Sequence, residues 1–153
     1  MSSMDEEMCT IHRKLAVEAF NGAWDLLEKE NRTEEEDLQM IHQAHASRYH
    51  WGFVGTTLEW ARGEWQISRV YSVLGHGKEA LYHGEKSLQF CKEGSHGDFD
   101  LVFAFEALAR ASAVLSEKED MIKWISLARE AVKSVKNKED EEYVLRELHS
   151  ISR

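Results

Sequence analysis

Apolar residues recur every three or four positions along most of the chain, which is the spacing of one face of an α-helix. Short turns rich in Gly, Asn and Ser interrupt this pattern, and no stretch shows the strict alternation of a half-buried strand. The pattern predicts an all-α protein of about seven helices in a single domain over residues 1–153. We expect helix pairs at about 4–52, 57–93 and 99–136, followed by a capping helix at 139–150.

Capping signals mark the expected helix starts. The Ser/Thr-x-x-Glu box, in which two side chains satisfy unpaired backbone donors, begins at Ser3, Thr33, Thr56 and Ser116. Asp98 is the expected N-cap of the fifth helix. The chain contains no proline, so the usual interruption of a helix is missing.

The helical period also predicts which residues face the core. For the first three helices these are Leu15, Phe20, Trp24 and Leu27; Leu38, Ile41, His45 and Tyr49; and Trp60, Gly63, Ile67, Val70, Tyr71 and Leu74.

Charge and cysteine content narrow the partners and the compartment. The net charge is -9, and no part of the chain is basic. We therefore expect neither nucleic-acid binding nor membrane binding, since both depend on clustered Lys and Arg. No apolar run approaches the ~20 residues that cross a bilayer. Cys9 and Cys91 alone suggest neither a disulfide framework nor a zinc site, which fits the cytoplasm.

A shift of 41 residues aligns the chain with itself and indicates an internal repeat. The segment ISRVYSVLGHGKEALYHGEKSLQF resembles a tetratricopeptide repeat through Ile67, Ser68, Tyr71, Gly75, Ala80, Ser87 and Leu88. The second copy, ALARASAVLSEKEDMIKWISLAREAV, matches through Leu108, Ala109, Ile125 and Ala128, with Ser116 where Gly75 stood. Gly84 departs from the pattern, which has an aromatic residue there.

The resemblance implies antiparallel helix pairs that stack as a short right-handed superhelix. A looser resemblance, through HASRYHW, WARGEWQISRVY and GDFDL, is to uncharacterised bacterial tetratricopeptide-like proteins. It implies a cytoplasmic bacterial protein without an established activity.

In the tetratricopeptide family the first helix of each pair lines a concave groove. Carried over by position, the groove residues are Arg62, Trp65 and Arg69; Phe103, Glu106 and Arg110; and Asn21, Trp24 and Glu28. Two arginines beside a tryptophan suit a carboxylate next to an apolar or cationic group. The alternative interpretation is that Arg69 and Arg110 form internal salt bridges with Glu64 and Glu106, and that Trp65 only packs.

Two hypotheses for function remain open. The first is a non-enzymatic module that binds a protein or peptide segment in this groove, without a cofactor. The second is a sensor or enzyme for a small anion, in an enclosed pocket between the His45–Trp51 turn and the third and fifth helices. The sequence leaves self-association through an exposed helical face open.

Histidines carry the remaining candidate chemistry. His42, His45 and His50 are spaced by three and five residues, so they do not share one helical face, and we expect no metal site. His45 and His50 stay candidates for the enclosed pocket. No nucleophile and base occur in a catalytic arrangement, and no Gly-rich loop follows a strand.

Overall fold

The computed structural model describes the backbone of residues 3–151 and the side chains of residues 5–151. These residues form helices and turns only, so the all-α prediction is confirmed. The seven helices are α1 (Ser3–Leu27), α2 (Glu34–Val54), α3 (Thr57–Val73), α4 (Gly77–Glu93), α5 (Asp98–Val114), α6 (Lys118–Val132) and α7 (Lys138–Ile151).

The helices pair and stack in chain order. The most extensive contacts join α1 to α2, α3 to α4, and α5 to α6. Further contacts join α1 to α3, α3 to α5, and α5 to α7, so the odd-numbered helices form one continuous layer. We call this the inner layer. The even-numbered helices form a second layer, and each packs between two inner helices. The right-handed turn of the stack stays a prediction.

Two pair boundaries differ from the predicted ones. The first pair continues through Gly52 to Val54, and it ends where the extended Gly55 donates its N–H to the Trp51 carbonyl at 2.7 Å. The third pair ends at Val132 instead of residue 136. Residues 133–135 tighten into a turn with bonds to the third residue back, including Val135 N–H to Val132 at 2.9 Å.

The predicted caps at Thr33 and Thr56 are confirmed. Thr33 Oγ1 accepts from the Glu36 N–H at 3.1 Å, and the Glu36 carboxylate accepts from the Thr33 N–H at 2.9 Å. Thr56 forms the same reciprocal box with Glu59. The box predicted at Ser3 depends on a side chain outside the described ones.

The cap predicted at Ser116 is wrong, because Ser116 ends α5 instead of starting α6. Its φ of 58° is in the left-handed region. The next residue, Glu117, donates its N–H back to the Ser112 carbonyl at 2.9 Å. Gly75, 41 residues earlier, has φ 82° and precedes the same kind of bond, from His76 to Tyr71 at 2.8 Å. The two turns therefore share one geometry.

The fifth helix begins at Asp98 as predicted, but its cap residue is different. Gly97 is the N-cap, and Asp98 is the first residue of α5 with a φ of 55°. Asp98 therefore starts the helix from the left-handed region.

The core prediction holds for α3. In α1 and α2 it holds for Leu27 and Ile41, which pack against the core, and fails for three exposed residues. Ile67 and Val70 are 1% exposed, whereas Leu15, Leu38 and Tyr49 are 40%, 55% and 63% exposed. The first pair packs instead through the fully buried small residues Ala16, Ala23, Ala44 and Ser47. Ser47 Oγ donates to the Ala16 carbonyl at 2.8 Å, so the two backbones approach closely there. Met40 is the one large side chain of α1 and α2 that is fully buried among the described residues.

None of the described helices combines the length and the apolar composition needed to cross a bilayer.

Candidate functional site

An aromatic cavity of about 260 Å³ opens on the inner layer. All four inner helices contribute to it: α1 supplies Phe20, Asn21 and Trp24, α3 supplies Ala61, Arg62 and Trp65, α5 supplies Phe99, Asp100 and Phe103, and α7 supplies Tyr143; Ser87 of α4 completes the lining. The residues from α1, α3 and α5 span three or four positions on each helix, which places them on one helical face. We call this site the aromatic cavity.

The rings of the aromatic cavity contact one another in a chain across the inner layer. The centroid of Trp65 lies 5.7 Å from that of Trp24 and 5.4 Å from that of Phe103. Phe103 in turn lies 4.6 Å from Phe99 and 5.9 Å from Tyr143. These are the separations of favourable edge-to-face and tilted pairs. The wall is therefore a packed aromatic surface that joins α1 to α7.

One ion pair borders the aromatic cavity. Arg62 Nε donates to Asp100 Oδ1 at 2.8 Å and Arg62 Nη2 donates to Asp100 Oδ2 at 3.2 Å. These hydrogen bonds raise the pKa of the Arg62 guanidinium above its ordinary value. Arg62 remains 53% exposed, while Asp100 is 17% exposed. The Arg62–Asp100 ion pair is therefore a polar group beside an otherwise apolar lining, and its guanidinium faces solvent.

Arg69 and Arg110 lie in a separate ion network that joins α3, α5 and α7. Glu106 Oε1 accepts from Arg69 Nη1 at 3.2 Å and from Arg110 Nε at 3.0 Å. Glu147 of α7 accepts from the same two arginines at 3.4 Å and 3.2 Å. Glu106 has no exposed side-chain surface. Both arginines are therefore engaged by two carboxylates within the protein.

Glu64 was the other carboxylate considered as a partner of these arginines, and its contacts are elsewhere. It accepts from Arg48 Nε at 2.9 Å and bonds His83 Nδ1 at 2.7 Å. The internal salt-bridge interpretation is thus found for Glu106 and not for Glu64.

His45 lies in the same polar cluster as Glu64. Its Nε2 bonds the Tyr71 hydroxyl at 2.9 Å, and its ring packs edge-on against His83. Burial is the main cause that lowers the pKa of His45, and the neighbouring His83 lowers it further. These contacts join α2, α3 and α4, away from the residues that line the aromatic cavity.

His50 lies on the first pair, where its Nδ1 is 2.9 Å from Nδ1 of His12. Burial and the charge of His12 lower the pKa of His50. Among the described residues, no three His, Cys, Asp or Glu side chains are grouped so that they would hold a metal ion. His45 and His50 therefore belong to two different side-chain clusters.

Cys91 lies buried in α4, close to Asp100. Burial, together with the charge of Asp100, raises the pKa of the thiol to about 12. The Cys91 thiol is therefore protonated at neutral pH and is a poor nucleophile.

The structure brings together five of the residues selected from the sequence and separates the rest. Asn21, Trp24, Arg62, Trp65 and Phe103 line the aromatic cavity. Arg69, Glu106 and Arg110 form the ion network, and His45 and His50 lie in other clusters.

Sequence reasoning did not select five aromatic or charged contributors: Phe20, Phe99, Asp100, Tyr143 and Glu147. Phe99 precedes Phe103 by one helical turn and Phe20 precedes Trp24 by one, so helical spacing was a usable signal for both. Tyr143 and Glu147 are in α7, and their roles depend on how the last helix docks, which periodicity does not specify.

The chain matches no protein-family model, no curated protein and no solved structure in the comparisons made with it. Inference about function therefore depends on the site geometry alone.

Proposed function

We propose that the protein is a non-enzymatic binding module that holds a segment of a partner protein through a large apolar side chain in the aromatic cavity. The observation that carries this proposal is the ring-lined cavity itself, to which every inner helix contributes. Residues from four helices form one concavity on one side of the stack. A mostly apolar lining of this kind suits the binding of an apolar group.

The size of the cavity fits one side chain. An apolar cavity of about 150 Å³ holds a benzene ring, and whole small-molecule sites usually exceed about 300 Å³. At about 260 Å³, the aromatic cavity suits an indole, a phenyl ring or a branched aliphatic group. Such a group would gain the full apolar transfer energy and ring contacts with Trp24, Trp65 and Phe103.

The polar residues at the border of the cavity indicate which groups of the peptide lie next to that apolar side chain. The Arg62 guanidinium has five N–H donors, of which the two bonds to Asp100 use two. Asn21, exposed on α1, adds a side-chain amide. These groups suit the carbonyl or terminal carboxylate of a peptide. We therefore infer a peptide in which a large apolar residue is adjacent to such an acceptor.

The wider assignment is also part of this proposal. We place the chain among tetratricopeptide-like proteins of the bacterial cytoplasm, with a right-handed stack. The support is the paired helices, the inner layer that carries the cavity, and the shared turn geometry at Gly75 and Ser116.

The enclosed anion pocket has less support. It requires His45, Arg69 and Glu106 to converge on one ligand. His45 bonds Tyr71, while Arg69 Nη1 and Nη2, which would donate to an anion, already donate to Glu106 and Glu147. An anion would have to displace two carboxylates.

A substitution at the border of the cavity that blocks its entrance tests this proposal. Asn21→Trp places a large ring at the mouth from an exposed position on α1, so the core is not disturbed. The matched control is Asp25→Trp, one turn further along the same helix and outside the cavity lining. A phage-displayed library of random peptides is selected on the wild-type protein. We expect enrichment of peptides with one Trp, Phe or Leu, and loss of their binding to Asn21→Trp but not to Asp25→Trp.

Two outcomes would overturn the proposal. One is a selection without any apolar anchor residue. The other is enriched peptides that bind Asn21→Trp as tightly as the wild-type protein, with both variants shown to be folded by circular dichroism.

A further inference from the structure

An apolar face lies exposed on the first helix pair. Met8, Ile11 and Leu15 follow one another at helical spacing on α1 and are 46%, 47% and 40% exposed. On α2, Tyr49 and Phe53 are 63% and 55% exposed. His12 stacks on Phe53 with ring centroids 4.1 Å apart, so the α1 and α2 residues border each other. We call these five exposed residues the end face.

The other end of the described stack is covered. There α7 buries Val144, Leu148 and Ile151 in the core cluster formed with α5 and α6. Helix pairs that stack bury each face against the next unit, and a terminal unit needs a cover for its apolar side. The end face has no such cover among the described helices.

We propose that the end face is covered by the end face of a second copy of this chain, with the two α1 helices antiparallel. Charge complementarity selects this occupant. Glu7 and Lys14 are exposed on α1, seven residues apart, on either side of Ile11. When two α1 helices cross antiparallel near Ile11, Glu7 of each copy lies opposite Lys14 of the other. One surface thus supplies both halves of the contact, as a two-fold interface requires.

The end face and the aromatic cavity are on different sides of α1. The cavity is lined by Phe20, Asn21 and Trp24, and helical geometry places these residues away from the Met8, Ile11 and Leu15 side. Pairing through the end face therefore leaves the cavity accessible, and the two proposals can fail separately.

Sedimentation equilibrium of the full chain over a range of concentrations tests the pairing. We expect a concentration-dependent dimer for the wild-type protein. Ile11→Glu places a charge in the centre of the end face and should raise the dimer dissociation constant by about tenfold or more. The control is Ile122→Glu, which makes the same change at a residue of α6 that is 54% exposed, and it should dimerise like the wild type.

Charge reversal tests the register. Glu7→Lys should weaken the dimer because it places two lysines opposite each other, and Lys14→Glu should weaken it with two carboxylates. The double variant Glu7→Lys/Lys14→Glu restores both opposite-sign pairs and should dimerise more tightly than either single variant. A wild-type protein that is monomeric at all concentrations overturns the proposal. So does an Ile11→Glu variant as dimeric as Ile122→Glu, or a double variant weaker than both single ones.

Discussion

Glu106 is a carboxylate without exposed surface, and two arginines from different helices donate to one of its oxygens. The other oxygen, Oε2, is buried and accepts no hydrogen bond from the described residues. Removing one partner of a buried ion pair leaves the remaining charges without compensation. The local structure around Glu106 therefore depends on its charge.

We predict that Glu106→Gln lowers the free energy of unfolding by about 3 kcal/mol, because Arg69 and Arg110 lose a buried partner. Urea denaturation measures the loss. The control is Glu130→Gln, which breaks a surface pair with Lys133 in which both side chains are 73% exposed. That change should cost less than about 1 kcal/mol. Equal losses for the two variants would show that burial does not set the strength of the network.

For single residues, the sequence predicts which helix face carries charged and aromatic side chains better than it predicts which side chains they contact. The groove positions on α3 and α5 are indeed charged or aromatic residues of the inner layer. Arg62 and Arg69 are about two helical turns apart on α3, yet Arg62 borders the cavity and Arg69 is held by Glu106 and Glu147. That difference depends on α7, which contacts α3 through side chains distant in sequence.

The turns that follow α3 and α5 have the same backbone geometry. Gly75 and Ser116 both close an inner helix from the left-handed region, but only glycine adopts it without steric cost. A Cβ on Gly75 would meet no heavy atom within 4 Å. Substitution of Gly75 by alanine therefore strains the backbone without creating a steric clash with other residues.

We predict that Gly75→Ala destabilises the protein by about 1 kcal/mol, because alanine is strained at φ 82°. Ser116→Gly should act in the opposite direction, since it relieves the same strain at φ 58°. Thermal and urea denaturation of both variants provide the measurement. Two shifts of the same sign would contradict the assignment of a shared turn.

The sequence predicted every helix. It predicted which face is buried for α3, but only in part for α1 and α2. The α3 stripe is marked by large residues, so periodicity identified it. The first pair packs through Ala16, Ala23, Ala44 and Ser47, and small residues contribute little to a hydrophobic pattern. Leu38 and Tyr49 dominated that pattern and lie outside. Close backbone approach is a property of the pair, so one helix read alone does not reveal it.

The whole molecule responds to pH through histidines in different clusters. The pKa values of His45 and His50 are lower in the fold than the ordinary value of 6.5, chiefly because of burial. Below that value the unfolded chain binds protons that the folded chain does not. The stability contributed by these neutral histidines is therefore complete above pH 6.5 and is lost as the pH falls through their folded pKa values. Glu36, whose pKa lies below 4.5 because of Lys29 and Thr33, acts only in more acidic solution.

We predict a lower urea midpoint at about pH 5.5 than at about pH 7.5, because His45 and His50 take up protons more readily in the unfolded chain than in the folded one. His50→Gln should reduce the difference, since glutamine does not titrate. The control is Gln39→Asn at an exposed position of α2; neither side chain titrates, so the difference should stay unchanged. A midpoint that stays constant or rises on acidification would contradict the assigned direction.

Tyr143 gives the last helix two roles that cannot be varied independently. It forms part of the cavity wall, and its helix is held to α3 and α5 through Glu147. Any molecule that contacts Tyr143 binds the docked form of α7 more tightly than the undocked form, and reciprocity then requires it to make the opening of α7 less favourable. Slower amide hydrogen exchange of residues 138–151 would therefore show that the cavity is occupied, although other helices form most of that cavity.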